Sequence, residues 1–312
     1  MKIIVQGDGG GLRGVIPAVT LDRMEESGFD FSKVSLFSGT SVFSIIAALL
    51  AAGSKAKPVR TILENEGASL FQEKSIFARL SDPNKAKYNR KPLYDRIEQE
   101  LAKLGVIYMK DLKIPLAITA FGLYAKKTHY ICSWDPRYAD IKVVDVVSWS
   151  ALSAVNYFGK IVVPDFKWTK SYQVMGPYEV VGEVFQDGGQ GLKNTTSRDA
   201  LLTGLYDLGF RKDSDVRMIS LGCGSPWMMN EKFSDVASAG WLSQAMDYLT
   251  EASREATCDE VESALFIASC AGYRIARIDP IIDKNIYVLD GKKFISEYAR
   301  IGNYQKLPTW LV

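Results

Sequence analysis

The chain has 312 residues, 47% hydrophobic and 24% charged, with 38 basic and 36 acidic side chains and a net charge of +2. That length suits one large α/β domain or two small ones, and the balanced charge gives no electrostatic case for nucleic acid. No run approaches the roughly 18 apolar residues of a membrane span, and Met1-Lys2 leads straight into a strand with no signal-peptide pattern, so the expected location is cytoplasmic. Lys2–Gln6 reads as a first strand, followed by a glycine-rich loop and a helix over about Val15–Glu26 with Ile16, Val19 and Met24 inward. Gly28 ends that helix. Val34–Phe37 reads as a second strand. A helix over about Ser41–Ala52 is apolar nearly all round, hence buried, and stops at Gly53. Residues 57–104 read as helix in two pieces, joined by an exposed connection at Ser81–Lys85. Ile114–Phe121 and Lys127–Ser133 read as a strand pair turning near Gly122, and Val143–Val155 as a helix. Ile161–Phe185, broken by Pro164, Gly176, Pro177 and Gly182, reads as irregular, closing in a short strand Val180–Phe185. Asn194–Leu208 is an amphipathic helix and Val216–Leu221 a strand. Helices follow over about Trp241–Ala256 and Asp259–Ala271. Tyr273–Ile278 and Ile286–Leu289 read as strands, and Lys292–Arg300 as a last helix. Alternation of strands and helices argues for a mostly parallel sheet covered on both faces, and the absence of a clear linker for one domain.

Three segments carry chemistry. The first is Asp8-Gly9-Gly10-Gly11-Leu12-Arg13-Gly14. A glycine loop between a strand and a helix aims several N–H groups at one spot, beside the positive end of the helix dipole. It is suited to a bound phosphate or to a transient oxyanion. The second is Gly39-Thr40-Ser41 at a strand-to-helix turn. It matches the start of a nucleophile elbow, G-x-S-x-G, with Phe43 in place of the last glycine. Its ordinary alternative is a helix N-cap serine. The third is Asp187-Gly188-Gly189 at a strand end, whose ordinary alternative is a simple turn. All three follow strands. Sites in open α/β sheets form beyond the carboxyl ends of strands, so the three segments could converge.

The residue inventory narrows the chemistry. His129 is the only histidine. A multi-histidine metal site is therefore impossible, and a Ser-His-Asp triad would have to use His129, which sits in an alternating strand pattern. Cys132, Cys223, Cys258 and Cys270 lack the CxxC spacing of a zinc or redox site and are expected reduced and mostly buried. No metal and no cofactor is expected.

The three segments in this order resemble the patatin-like phospholipase family, whose pattern is D-G-G-G-x-R-G, G-x-S-x-G and D-G-G/A. Further matches are Ser150-Ala151-Leu152-Ser153-Ala154 before Tyr157-Phe158, Asn194 after the Asp-Gly-Gly turn, and Ser220-Leu221-Gly222-Cys223-Gly224. The similarity covers about residues 1–225, with a helical continuation over 226–312. It implies a three-layer α/β/α, modified α/β-hydrolase-type fold with a central, mostly parallel sheet. It also implies a Ser-Asp dyad, Ser41 as nucleophile and Asp187 as its base, with an oxyanion hole from the Gly9, Gly10, Gly11, Leu12 and Arg13 region. The implied substrate is a phospholipid or other acyl ester, met at a membrane surface to which the protein would be peripheral. Some relatives of this kind are activated by a partner or ligand, and no residue here identifies one. Arg13 is suited either to bracing the loop or to meeting lipid phosphate.

Rival readings differ in what they leave unexplained. Gly9-Gly10-Gly11-Leu12-Arg13-Gly14 also satisfies G-x-G-x-x-G, with Asp30 as a ribose-binding carboxylate, but a dinucleotide enzyme has no use for Ser41 and Asp187. Phe43 raises an inactive lipid binder. An acyltransferase would share the acyl-enzyme and differ in acceptor. Ser225-Pro226-Trp227-Met228-Met229-Asn230 is a candidate lid or interfacial patch, or else part of the core.

Overall fold

The computed structural model describes residues 1–172, 176–191, 193–213, 215–226 and 241–310. Eight strands form one mixed sheet. β1 (Lys2–Gly7), β2 (Leu36–Thr40), β3 (Leu116–Gly122), β4 (Lys127–Cys132), β5 (Ile161–Tyr172), β6 (Gly176–Asp187), β7 (Val216–Leu221) and β8 (Arg274–Ile278) follow in chain order. Strands β3, β2, β1, β7 and β8 lie side by side and parallel. Helices are α1 (Val15–Glu26), α2 (Val42–Ala51), α3 (Lys91–Lys103), α4 (Val143–Ala151), α5 (Ser197–Tyr206), α6 (Trp241–Ala271) and α7 (Ile295–Asn303).

Side chains of the central strands alternate between two cores. Ile3, Val5, Phe37, Ile118, Ile219 and Leu221 join α1, α2, α3, α4 and α7 on one face. Ile4, Leu36, Ala117, Val216 and Met218 join α5 and α6 on the other. A parallel sheet covered on both faces needs apolar side chains at successive positions, which is why these strands are near-continuous apolar runs. The result is the expected three-layer α/β/α arrangement.

The placement of β2 and β6 builds the site. β4 pairs along Ala117–Gly122 of β3. The other edge of β3 is therefore shared: β2 pairs with Leu116–Thr119, and β6, antiparallel, with Ala120–Gly122. β2 and β6 run head to head along one edge. Thr40 pairs with Thr119 and Asp187 with Ala120, so Ser41 and Asp187 leave their strands at neighbouring points.

Several elements differ from the sequence expectation. Residues 161–172 and 176–187 are not irregular but form a long antiparallel pair, β5–β6. The register shifts between Val163 and Lys167, around Pro164 and opposite Gly182 at φ 96°. Proline and glycine here mark a bulge rather than the end of a strand. The two helices expected over 241–271 are the single α6. The helix expected from Asn194 begins at Ser197, and the Thr195 and Ser197 hydroxyls accept from the Gln6 side-chain amide at 3.2 and 2.6 Å. Ile286–Leu289 is no strand; a 3₁₀ turn spans Lys284–Ile286. Residues 56–70 form a helical run with a π turn at Ile62–Glu66, and a further short helix covers Ile76–Ser81. Cys132 and Cys223 are buried as expected, but Cys258 and Cys270 are exposed. Trp227–Asn230, the candidate lid, lies outside the described residues.

Candidate active site

Ser41 holds a backbone conformation that non-glycine residues rarely adopt, φ 53° and ψ −128°. Such a conformation typically costs about 1–3 kcal/mol and persists only where its surroundings impose it. Here they do. The Ser41 N–H donates to Ser150 Oγ on α4 at 2.8 Å. The Ser41 carbonyl accepts from Ser44 N–H at 2.9 Å and Ser44 Oγ at 2.6 Å. Ser41 stands at the N-terminus of α2 and lines the cavity described below. Ser41 is thus an elbow residue; its side chain makes no capping hydrogen bond.

Phe43, the departure from the elbow pattern, is fully buried. Its ring lies over Gly7 and Gly39, which face each other across β1 and β2. A Cβ on Gly7 would stand 2.1 Å from the ring, and one on Gly39 2.8 Å. Two missing side chains in the sheet make the room that the missing elbow glycine would otherwise supply.

Asp187 is buried, and its Oδ1 accepts the Gly189 N–H at 2.9 Å. Burial pushes its carboxyl up to about 6; the neighbouring Ser41 hydroxyl and the Gly189 N–H restrain the rise. Both glycines of the turn are required sterically. A Cβ on Gly188 would lie 2.6 Å from Thr119 Oγ1, and one on Gly189 2.8 Å from Asn194 Oδ1.

The glycine loop closes the site from β1. Gly11 has φ 57°. Its added Cβ would stand 2.1 Å from the Leu289 carbonyl, so only glycine fits. Three of the five N–H groups expected as anion donors are already used. Gly9 donates to the Asn194 carbonyl at 3.0 Å, Leu12 to Leu289 at 2.8 Å and Arg13 to Gly10 at 3.2 Å. Among the described residues, the Gly10 and Gly11 N–H groups have no acceptor. The expectation therefore narrows to Gly10 and Gly11 as free donors. Gly9, Leu12 and Arg13 hold the loop in shape.

Ser41, Asp187 and residues 9–13 line one cavity of about 210 Å³. Its remaining wall is largely apolar, with Ile45, Leu63, Phe71, Leu93, Phe158 and Leu289. A family model for patatin-like phospholipases matches residues 8–201. The chain belongs to the patatin-like phospholipase family. No curated protein matches the chain. Among solved structures, VipD from Legionella pneumophila is similar at a TM-score of 0.43 and 12% identity, over 96% of this chain and 66% of that one. ExoU from Pseudomonas aeruginosa, solved in complex with SpcU, is similar at a TM-score of 0.34 and 17% identity, over 46% of this chain and 37% of that one. The chain thus spans 66% or less of these solved chains.

Within this patatin-like frame Arg13 and His129 have separate places. Arg13 braces the loop. Its guanidinium donates to the carbonyls of Cys223 at 3.3 Å and Gly224 at 2.8 Å, and stacks 3.9 Å over the Tyr287 ring. His129 does not line the cavity. It is buried among Phe166, Trp168 and Phe185 and bonds Glu183 at 2.8 Å. Burial alone would raise the Glu183 carboxyl, but His129 and the backbone N–H groups of Val184 and Tyr124 hold it below its ordinary range.

Sequence reasoning missed Arg277 and Asp279. Arg277 donates to both Asp8 oxygens, at 3.1 and 2.5 Å, and to Asp279 at 2.9 Å. Asp279 accepts the Gly224 N–H and the Ser225 hydroxyl. The only sequence signal is the pair of arginines, Arg274 and Arg277, within the strand pattern Tyr273–Ile278. Ser150 was noted as part of a Ser/Ala-rich segment, without its task of holding the elbow. Among the described residues, no group of three or more His, Cys, Asp or Glu is placed to hold a metal, and no helix is long and apolar enough to cross a membrane.

Proposed function

We propose that the protein is a serine acyl hydrolase that cleaves fatty acyl esters of phospholipids through an acyl-enzyme, with Ser41 as nucleophile and Asp187 as its base. The observation that carries this reading is one apolar cavity that holds an elbow serine, a buried carboxyl pushed up to about 6, and two N–H groups with no acceptor among the described residues. At neutral pH Asp187 is ionised and can take the Ser41 proton as Oγ attacks the ester carbonyl. The negative oxygen of the tetrahedral intermediate meets the Gly10 and Gly11 N–H groups, and losing one such donor typically costs about 10²–10³ in rate. Protonated Asp187 then returns its proton to the departing alkoxide. A water attacks the acyl-enzyme, losing its proton to Asp187, and the proton passes back to Ser41 as the fatty acid leaves. The apolar wall would seat the acyl chain and exclude water. His129 has no part in this scheme, because it bonds Glu183 outside the cavity.

The test is active-site labelling with a fluorophosphonate, followed by fatty-acid release from phospholipid vesicles. Wild type should label and release fatty acid. Ser41→Ala should do neither, and Asp187→Asn should lose turnover while remaining folded. Equal labelling of wild type and Ser41→Ala would refute the scheme. Adding an acceptor alcohol should divert little product if water is the natural acceptor.

A further inference from the structure

The short helix Ile76–Ser81 carries three large apolar side chains in the open. Ile76 is 76% exposed, Phe77 84% and Leu80 70%. On a helix, positions i, i+1 and i+4 fall within one arc of about 100°, so the three form a single face. Elsewhere in the described chain the exposed large apolar residues occur singly or in adjacent pairs such as Ile107–Tyr108, Leu265–Phe266 and Val288–Leu289. Every residue from 75 to 81 is exposed, so the helix projects from the body.

Charge around this face is one-sided. The segment from Gln72 to Arg90 holds Lys74, Arg79, Lys85, Lys87 and Arg90 against Glu73 and Asp82, five positive charges to two negative. Lys74 is matched by Asp82 at 2.6 Å, and Lys87 by Asp290 at 2.7 Å. Arg79 and Lys85 are exposed, and among the described residues no carboxylate lies within ion-pair distance of either. Apolar side chains flanked by two unmatched cations are complementary to a bilayer with anionic headgroups.

The projecting segment is anchored at the cavity. Its base is closed by a bridge between Glu73 and Tyr88 and by the Lys74 N–H donating to the Lys87 carbonyl at 2.9 Å. The Tyr88 ring stacks on Tyr157 at 6.2 Å and meets Phe71 edge-on at 5.4 Å. Phe71 and Tyr157 line the cavity that holds Ser41.

We propose that residues 75–85 form the membrane-docking surface of this protein, seating Ile76, Phe77 and Leu80 in an anionic lipid bilayer at the cavity's flank. This rests on the acyl-hydrolase reading above and adds where the protein meets its lipid. The test uses the whole 312-residue chain carrying Ser41→Ala, so that binding is read without hydrolysis. It is sedimented with phosphatidylcholine vesicles and with vesicles carrying a third phosphatidylserine. Binding should favour the anionic vesicles and weaken as salt rises. Phe77→Asp in that background should lose about tenfold or more in partitioning, and Arg79→Gln with Lys85→Gln should remove the phosphatidylserine preference. Circular dichroism and the thermal midpoint verify that each variant is folded; the side chains are exposed, so both should match the parent. Undiminished vesicle binding by Phe77→Asp overturns the proposal. So does a concentration-dependent dimer that Phe77→Asp dissociates without changing vesicle binding, since the face would then belong to a second copy. Failure of the hydrolase reading shows differently: wild type would bind vesicles yet release no fatty acid from any ester.

Discussion

Asp187 is the residue whose environment says most about conditions of use. Its carboxyl is buried and lifted to about 6. In the proposed scheme only the ionised form accepts a proton, so kcat/KM should fall about tenfold per pH unit below that value. A profile flat down to pH 4.5 would exclude Asp187 as the base. The same shift has a consequence for stability. A carboxyl raised in the folded state binds its proton more tightly there than in the unfolded chain. Its favourable contribution is complete below the unfolded value near 4 and is lost as pH rises through about 6. At pH 7–8 the ionised Asp187 is therefore a burden on the fold. Asp187→Asn, which can keep the Gly189 bond, should raise the unfolding free energy at pH 7.5 by about 1–3 kcal/mol while removing turnover. That gain should vanish when unfolding is measured at pH 4. Urea titrations at the two pH values check it.

At the scale of elements, the elbow and the sheet beneath it are one packing unit. Phe43 occupies the space that Gly7 and Gly39 leave open, with paired glycines on β1 and β2 receiving a ring from α2. Phe43→Ala should destabilise by about 3–5 kcal/mol, because the ring is fully buried and the glycines cannot close the void. Gly7→Ala should cost about 1–3 kcal/mol in the wild-type chain, where its methyl meets the ring. In the Phe43→Ala chain it should cost little, so the double-mutant cycle should show a coupling of about 1 kcal/mol or more. Additive effects would mean that the ring does not depend on the glycine. This unit also explains what was legible beforehand. The glycine loop, the elbow serine and the Asp-Gly-Gly turn could be read because each needs a rare backbone or a missing side chain, and such needs leave glycine at fixed places. Phe43 looked like a defect because its compensation, Gly7, lies on another strand. β5 and β6 were hidden for the opposite reason. Pro164 and Gly182 are turn residues by local chemistry, and only their cross-strand pairing makes them a bulge.

The whole molecule depends on contacts that local sequence reading does not reach. The family match ends at residue 201, yet the glycine loop is held by residues far beyond it. The Leu12 N–H donates to Leu289, and Asp8 is bonded to Arg277, 269 positions away. Nothing near Asp8 in the chain announces that partner; the pairing of β7 with β8 brings it there. Asp8 and Arg277 are both largely buried, with side chains 4% and 16% exposed. Removing one partner of such a pair leaves an uncompensated charge in a low-dielectric site and typically costs about 3–5 kcal/mol. Arg277→Met should therefore be strongly destabilising. Asp8→Asn added to it should recover a substantial part, because the stranded charge is gone even though the original pair is not restored. Chemical denaturation of the wild type, both single variants and the double variant reads this directly. If Arg277→Met and the double variant unfold at the same denaturant concentration, the charge at Asp8 is not what Arg277 compensates. In that case its contribution would lie in the bonds it makes to Asp279 and Ser220 instead.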